Sequence, residues 1–97
     1  MAKGYWVAHI DVDDTETYKT YIAANAAPFA EYGARFLVRG GQYENREGKV
    51  RQRTVVLEFD SYETAIACYD SVAYQDAKAL RDPVSIGDML IIEGYDG

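Results

Sequence analysis

Two apolar runs of this chain carry charges in their middles. Arg35-Phe36-Leu37-Val38-Arg39-Gly40-Gly41 and Val55-Val56-Leu57-Glu58-Phe59 are rich in β-branched and aromatic residues, and the polar segment Asn45-Arg46-Glu47-Gly48 lies between them. This pattern predicts a β-hairpin with strands near residues 34–43 and 49–59. Charge inside such strands costs free energy unless it is paired, so Arg35, Arg39 and Glu58 mark either a polar cluster or a site. Glycine in a strand interior weakens it, so Gly40-Gly41 predicts a bulge or a close approach to the backbone.

The rest of the chain reads as elements packed around that hairpin. Tyr5-Trp6-Val7-Ala8-His9-Ile10 predicts a first strand. Asp13, with Glu16 three residues on, has the form of a capping box. Tyr18, Tyr21, Ile22, Asn25, Phe29 and Tyr32 then fall at helical spacing, with Pro28 expected to kink the last turns and Gly33 placed to end them. After the hairpin, Asp60 and Ser61 cap a helix through Tyr62, Ala65, Ile66 and Tyr69. Ser71 caps a further stretch through Tyr74, Ala77, Leu80 and Arg81, which stops before Pro83. Met89-Leu90-Ile91-Ile92-Glu93 is the last strand.

The order β-α-β-β-α-β predicts one α+β domain over residues 1–97, a ferredoxin-like fold with a four-stranded antiparallel sheet and its helices on one face. Strand alternation puts Trp6, Ala8, Ile10, Phe36, Val38, Val55, Leu57, Phe59, Leu90 and Ile92 under the helices. Tyr5, Val7, His9, Arg35, Leu37, Arg39, Thr54, Val56, Glu58, Met89, Ile91 and Glu93 fall on the other face. A bulge near the glycines would change the side on which Arg39 lies. The second face is too apolar to be simply wet, and a second copy of the sheet would cover it in a homodimer.

Composition excludes several classes. A formal charge of −6 argues against nucleic acid and anionic membrane surfaces as partners. No apolar run approaches the roughly 20 residues that span a bilayer, and Met1-Ala2-Lys3-Gly4 lacks the apolar core of a secretory signal. A single cysteine, Cys68, forms no internal disulfide, so a reducing, cytoplasmic setting is the expectation. One histidine and one cysteine make no Cys-His metal centre, and no glycine-rich phosphate loop precedes a helix, so neither metal nor cofactor is expected. Nine tyrosines suit half-wet pockets and interfaces, or equally the edges of a core.

Along nearly its whole length the chain resembles the domain-of-unknown-function family numbered thirteen-thirty, of the dimeric α/β-barrel superfamily. The resemblance rests on Gly4-Tyr5-Trp6-Val7-Ala8, on Tyr18 to Asn25, on Tyr32 to Gly41, on Val55 to Phe59 and on Ser61. It continues through Cys68-Tyr69-Asp70-Ser71, Tyr74-Gln75, Lys78 to Arg81 and Ile91-Ile92-Glu93-Gly94. It implies a ferredoxin-like protomer whose sheet pairs with that of a second copy to form a barrel. Its superfamily includes cofactor-free monooxygenases, ring-opening and isomerising enzymes, haem enzymes and structural or regulatory dimers, so it implies no single activity.

The candidate site residues have two readings each. Arg39 offers a bidentate fork for a carboxylate or enolate oxygen, or pairs with Glu58 while Arg35 pairs with Glu93. His9, whose side chain titrates near neutrality, is a candidate proton carrier beside Arg39 and Glu58, or a carboxylate-paired residue at the sheet interface. Asn25 and Tyr21 interrupt the helical stripe with polar groups that reach a ligand, or Asn25 is satisfied by backbone at Pro28. In the block that the family resemblance marks, Tyr69, Ser71, Tyr74, Gln75 and Arg81 are expected to cap and pack, with Arg81 on Asp88 or a helix-end carbonyl. Cys68 reads as a small buried hydrophobe. Two functions follow: a binder, or cofactor-independent enzyme, for a small anionic or carbonyl-bearing metabolite; or a non-catalytic homodimer whose charges set the interface.

Overall fold

A computed structural model describes residues 2–97. The strands are β1 (Gly4–Val12), β2 (Arg35–Arg39), β3 (Arg53–Phe59) and β4 (Ser85–Glu93), and the helices are α1 (Thr15–Glu31), α2 (Tyr62–Asp70) and α3 (Val72–Arg81). A single 3-10 turn, Asp82–Val84, links α3 to β4. The sheet is antiparallel in the order β2-β3-β1-β4, the ferredoxin-like arrangement expected from the sequence. Among the described residues no helix is long and apolar enough to cross a membrane.

The core is organised around Trp6, which β1 delivers to the helix side of the sheet. Its ring meets Phe29, Phe59, Tyr69 and Tyr74 at centroid distances of 4.8–5.8 Å, most of them edge-on or tilted as the ring quadrupole favours. Its indole N–H donates to the Ala65 carbonyl at 2.9 Å, so the one polar atom of a buried side chain is satisfied. Gly4 brings β1 against the start of α2, where a Cβ would collide with the Ser61 and Tyr62 backbone. Ser61 and Ser71 cap α2 and α3 as their positions predict, accepting from the Thr64 and Tyr74 amides at 3.1 and 3.2 Å.

Several local expectations are corrected. The cap of α1 is Asp14, which accepts from the Thr17 amide at 3.1 Å; the Asp13 amide is already given to the Val84 carbonyl. Helix α1 holds Pro28 inside it and ends at Glu31, and here the expectation stands: Gly33 follows the Tyr32 cap at φ 69°. The β2 and β3 strands are shorter than expected, and residues 40–52 form a connection rather than a tight hairpin turn, although Asn45 Nδ2 still donates to the Gly48 carbonyl at 2.8 Å.

Two register corrections bear on function. The bulge lies at Leu37, between the pairs Phe36 with Leu57 and Val38 with Val56, and not at Gly40-Gly41. Beyond it Arg39 pairs with Val55, so Arg39 turns to the helix face and Val38 to the open one. On β4, Trp6 pairs with Ile91 and Ala8 with Met89, so those two residues join the core while Leu90 and Ile92 lie on the open face. The run Met89 to Ile92 is apolar at every position, so its composition carries no phase.

Candidate functional site: an arginine-lined hollow under the first helix

Helix α1 crosses the sheet over β2 and β3 and leaves a hollow of about 40 Å³ beneath it. Its walls include Tyr18, Tyr21, Asn25 and Phe29 from the helix and Phe36, Arg39, Arg53 and Val55 from the strands. One water needs roughly 10–15 Å³ of such space, so the hollow takes one small polar group and not a whole metabolite.

The polar groups here are unusual in their partners. Asn25 is only 5 % exposed, yet its side-chain amide makes no hydrogen bond among the described residues. The expectation that backbone at Pro28 would satisfy it does not hold. Arg39 rests its guanidinium on the Phe36 ring, 4.0 Å from the centroid, and holds no carboxylate among the described residues. Arg53 buries its Nε without a partner. Its charge sits beside the Tyr18 hydroxyl, where it opposes the rise that burial imposes on that phenol. By contrast Arg35, Arg46, Arg51 and Arg81 each hold at least one carboxylate within 2.9–3.3 Å. In a chain of net charge −6, the arginines that hold no carboxylate converge on one hollow.

Gly40 makes this possible locally. Its φ of 65° lies in the left-handed region, and a Cβ there would collide with Nη1 of Arg53. The close approach expected at Gly40-Gly41 is therefore real, and the group approaching is the Arg53 guanidinium. Arg53 itself was missed by the sequence reading, although it lies two residues before Val55 in the same alternation that puts Val55, Leu57 and Phe59 on the helix face.

The expected grouping of His9, Arg39 and Glu58 is corrected by the same register. His9 pairs with Thr54 and Tyr5 with Glu58, on the open face, so the sheet separates them from Arg39, Asn25 and Tyr21. His9 Nδ1 lies 2.9 Å from Thr54 Oγ1. Glu58 accepts from Arg35 at 2.9 Å and from the Tyr5 hydroxyl at 3.2 Å, and the Arg35 contact holds its carboxyl below the ordinary value. Arg35 also reaches Asp60, and Arg51 joins Asp11 to Asp88. On the open face each of these arginines thus holds two carboxylates, around Tyr5, Val7, Val38, Val56, Leu90 and Ile92.

A larger hollow of about 400 Å³ lies between α3 and β4 and shares Ala8 and Ile10 with the first. Its cations are spent internally: Asp82 accepts from Lys78 at 2.8 Å and from Arg81 at 3.3 Å. Arg81 therefore takes Asp82 and the edge of the Tyr74 hydroxyl, not the expected Asp88. Cys68 is fully buried and its thiol is pushed up to about 12 by that burial, as befits a core hydrophobe.

Fold and hollow define a ferredoxin-like α+β protein with an arginine-lined recess between helix and sheet. The chain belongs to the family described as Domain of unknown function (DUF1330), whose sequence model matches residues 3–95. Among solved structures it is similar to a protein of unknown function from Rhodopseudomonas palustris, with 10% identity, a TM-score of 0.72, and coverage of 99% of this chain and 85% of the other. It is also similar to SnoaB, a cofactor-independent oxygenase from Streptomyces nogalater, with 11% identity, TM-score 0.66 and coverage of 100% and 97%. A dimeric ferredoxin-like protein of unknown function from Thermobifida fusca matches with 17% identity, TM-score 0.58 and coverage of 94% and 92%. At these identities the likeness shows the fold alone. No curated protein matches the sequence.

Proposed function

We propose that this protein is a homodimer in which each protomer binds a small anionic or carbonyl-bearing metabolite whose polar head enters the hollow beneath α1. The observation that carries the reading is Arg53, whose Nε is buried without a partner in the space that Asn25, an amide without a hydrogen bond among the described residues, shares with Arg39 and Tyr21. A buried polar group left unpaired costs about 1–3 kcal/mol, which a bound carboxylate or carbonyl would recover. Arg53 and Asn25 hold the negative oxygen from strand and helix, the Tyr21 hydroxyl faces it, and Arg39 adds positive charge at the rim. The lining residues include no histidine and no carboxylate, so no general base of the usual kind faces the ligand. That favours binding over proton abstraction. The likeness to a cofactor-independent oxygenase supports a second reading, chemistry without a cofactor.

The open sheet face favours a complementary role for His9 and Glu58. It carries an apolar surface whose arginines are each ion-paired within the protomer, which suits pairing with a second copy of itself. The dimeric neighbour from Thermobifida fusca supports that reading.

A thermal-shift screen of the protein against small organic acids and ketones tests the ligand proposal. A ligand at about 100 times its Kd stabilises by about 2.7 kcal/mol, a visible shift. The shift should vanish in Asn25→Asp, which adds a repelling charge, and persist in His9→Ala. If no acid or ketone stabilises the protein, the hollow is not a ligand site.

A further inference from the structure

We infer that the ligand is a short dicarboxylate, held by Arg53 within the hollow and by Arg39 at its rim. This rests on the reading of the hollow as a ligand site and names the ligand's charge and shape. Both guanidiniums lack carboxylates among the described residues, so the hollow and its rim offer two cations to one ligand, and a ligand bringing one negative charge would use only one of them. They also stand at different depths. Arg53 Nε is buried with no partner, whereas Arg39 is exposed and rests on Phe36. The enclosed space of about 40 Å³ suits one carboxylate and excludes a bulkier head. A single dianionic group such as phosphate would satisfy the inner arginine and leave the outer one unused. Two carboxylates joined by a short carbon link match both, with the link passing the apolar edges of Phe29 and Phe36, whose rings lie 5.7 Å apart.

Inside, Asn25 and Arg53 face the same carboxylate from helix and strand. Arg53 forks two oxygens, and Asn25 supplies the donor that its amide now leaves idle. Gly40 keeps the Arg53 guanidinium seated against the β2 backbone. Arg39 is free to swing from the Phe36 ring onto the second carboxylate, since the ring contact at an exposed position is weak.

The test is calorimetric titration of the full chain with malonate and succinate, beside propionate, butyrate and inorganic phosphate as probes. The dicarboxylates should bind at least about tenfold tighter than the monocarboxylates of matching length. Arg39→Gln should erase that advantage while leaving propionate affinity within about threefold. Arg53→Gln should weaken both classes by about thirtyfold, and Arg53→Lys should recover part of the loss. Melting temperatures of the variants establish that each is folded. Dicarboxylates that bind no better than propionate overturn the inference while the anion-binding reading stands, and so does phosphate binding more tightly than succinate. If no anion binds the unmodified chain, both fall together.

Discussion

The Tyr21 and Tyr74 hydroxyls lie 2.8 Å apart, joining α1 to α3 across the top of the core. Tyr74 is 2 % exposed and burial pushes its phenol far up, so that hydroxyl stays protonated, with Arg81 Nη2 a second neighbour at 3.5 Å. Tyr74→Phe should cost about 1–3 kcal/mol by leaving Tyr21 unpaired, and Tyr21→Phe less, because Arg81 still reaches the Tyr74 hydroxyl. The double variant should cost clearly less than the sum, because no orphan remains. Urea denaturation of the four proteins measures this, and strict additivity would show that the contact contributes nothing.

Gly40 and Gly41 are neighbours with opposite sensitivities. Gly40→Ala should lose about 1–2 kcal/mol from its left-handed backbone, and it should weaken any anion bound by Arg53, because the new methyl displaces that guanidinium. Gly41→Ala meets nothing within 4 Å and should stay within about 0.5 kcal/mol of the parent. Equal melting temperatures for the two variants would contradict this placement of β2.

Glu58 should govern part of the acid limb of stability. Its hydrogen bond from Arg35 lowers its folded pKa below the ordinary 4.5, so the stability it contributes is fully present above the unfolded value. That contribution is lost as pH falls through the folded value. Glu58→Gln should therefore be less stable at about pH 6 and converge on the parent near pH 3. Denaturation midpoints at several pH values check the sign, and a gap that widens on acidification would reverse it.

Leu90 tests the sheet-to-sheet dimer. It is 51% exposed on the open face opposite Val7, away from the hollow. Leu90→Lys should yield monomers by sedimentation, since a lysine there would be buried without a partner in the dimer. A variant that sediments like the parent would place the dimer contact elsewhere.

The fold was legible because periodicity, caps and turn residues agreed along most of the chain. Ser61, Ser71 and Gly33 ended or began helices where their chemistry requires it. Asn25 and Tyr21 were legible as polar breaks in an otherwise apolar stripe, and they do line the hollow. Strand phase was not legible where alternation was absent. Met89 to Ile92 offers apolar residues to both faces, and the extra residue at Leu37 has no composition that distinguishes it from Phe36 or Val38. Arg53 was overlooked because an arginine at a strand start reads as solvent-facing, although its phase with Val55 and Leu57 pointed inward. The pairing of Arg35 with Glu58 became certain only with the register, since Arg39 had equal claim in the linear sequence.

Leu37 has a consequence for how function travels between relatives. The single residue looped out of the ladder decides whether the next arginine serves the hollow or the opposite face. Were Leu37 to take a regular place in the ladder, the letters of the motif would stay the same and its meaning would reverse, turning Arg39 to the open face and leaving the recess with one cation. A relative that spells the same arginine-glycine-glycine but runs an unbroken ladder through that position would be a homologue in sequence with a different recess.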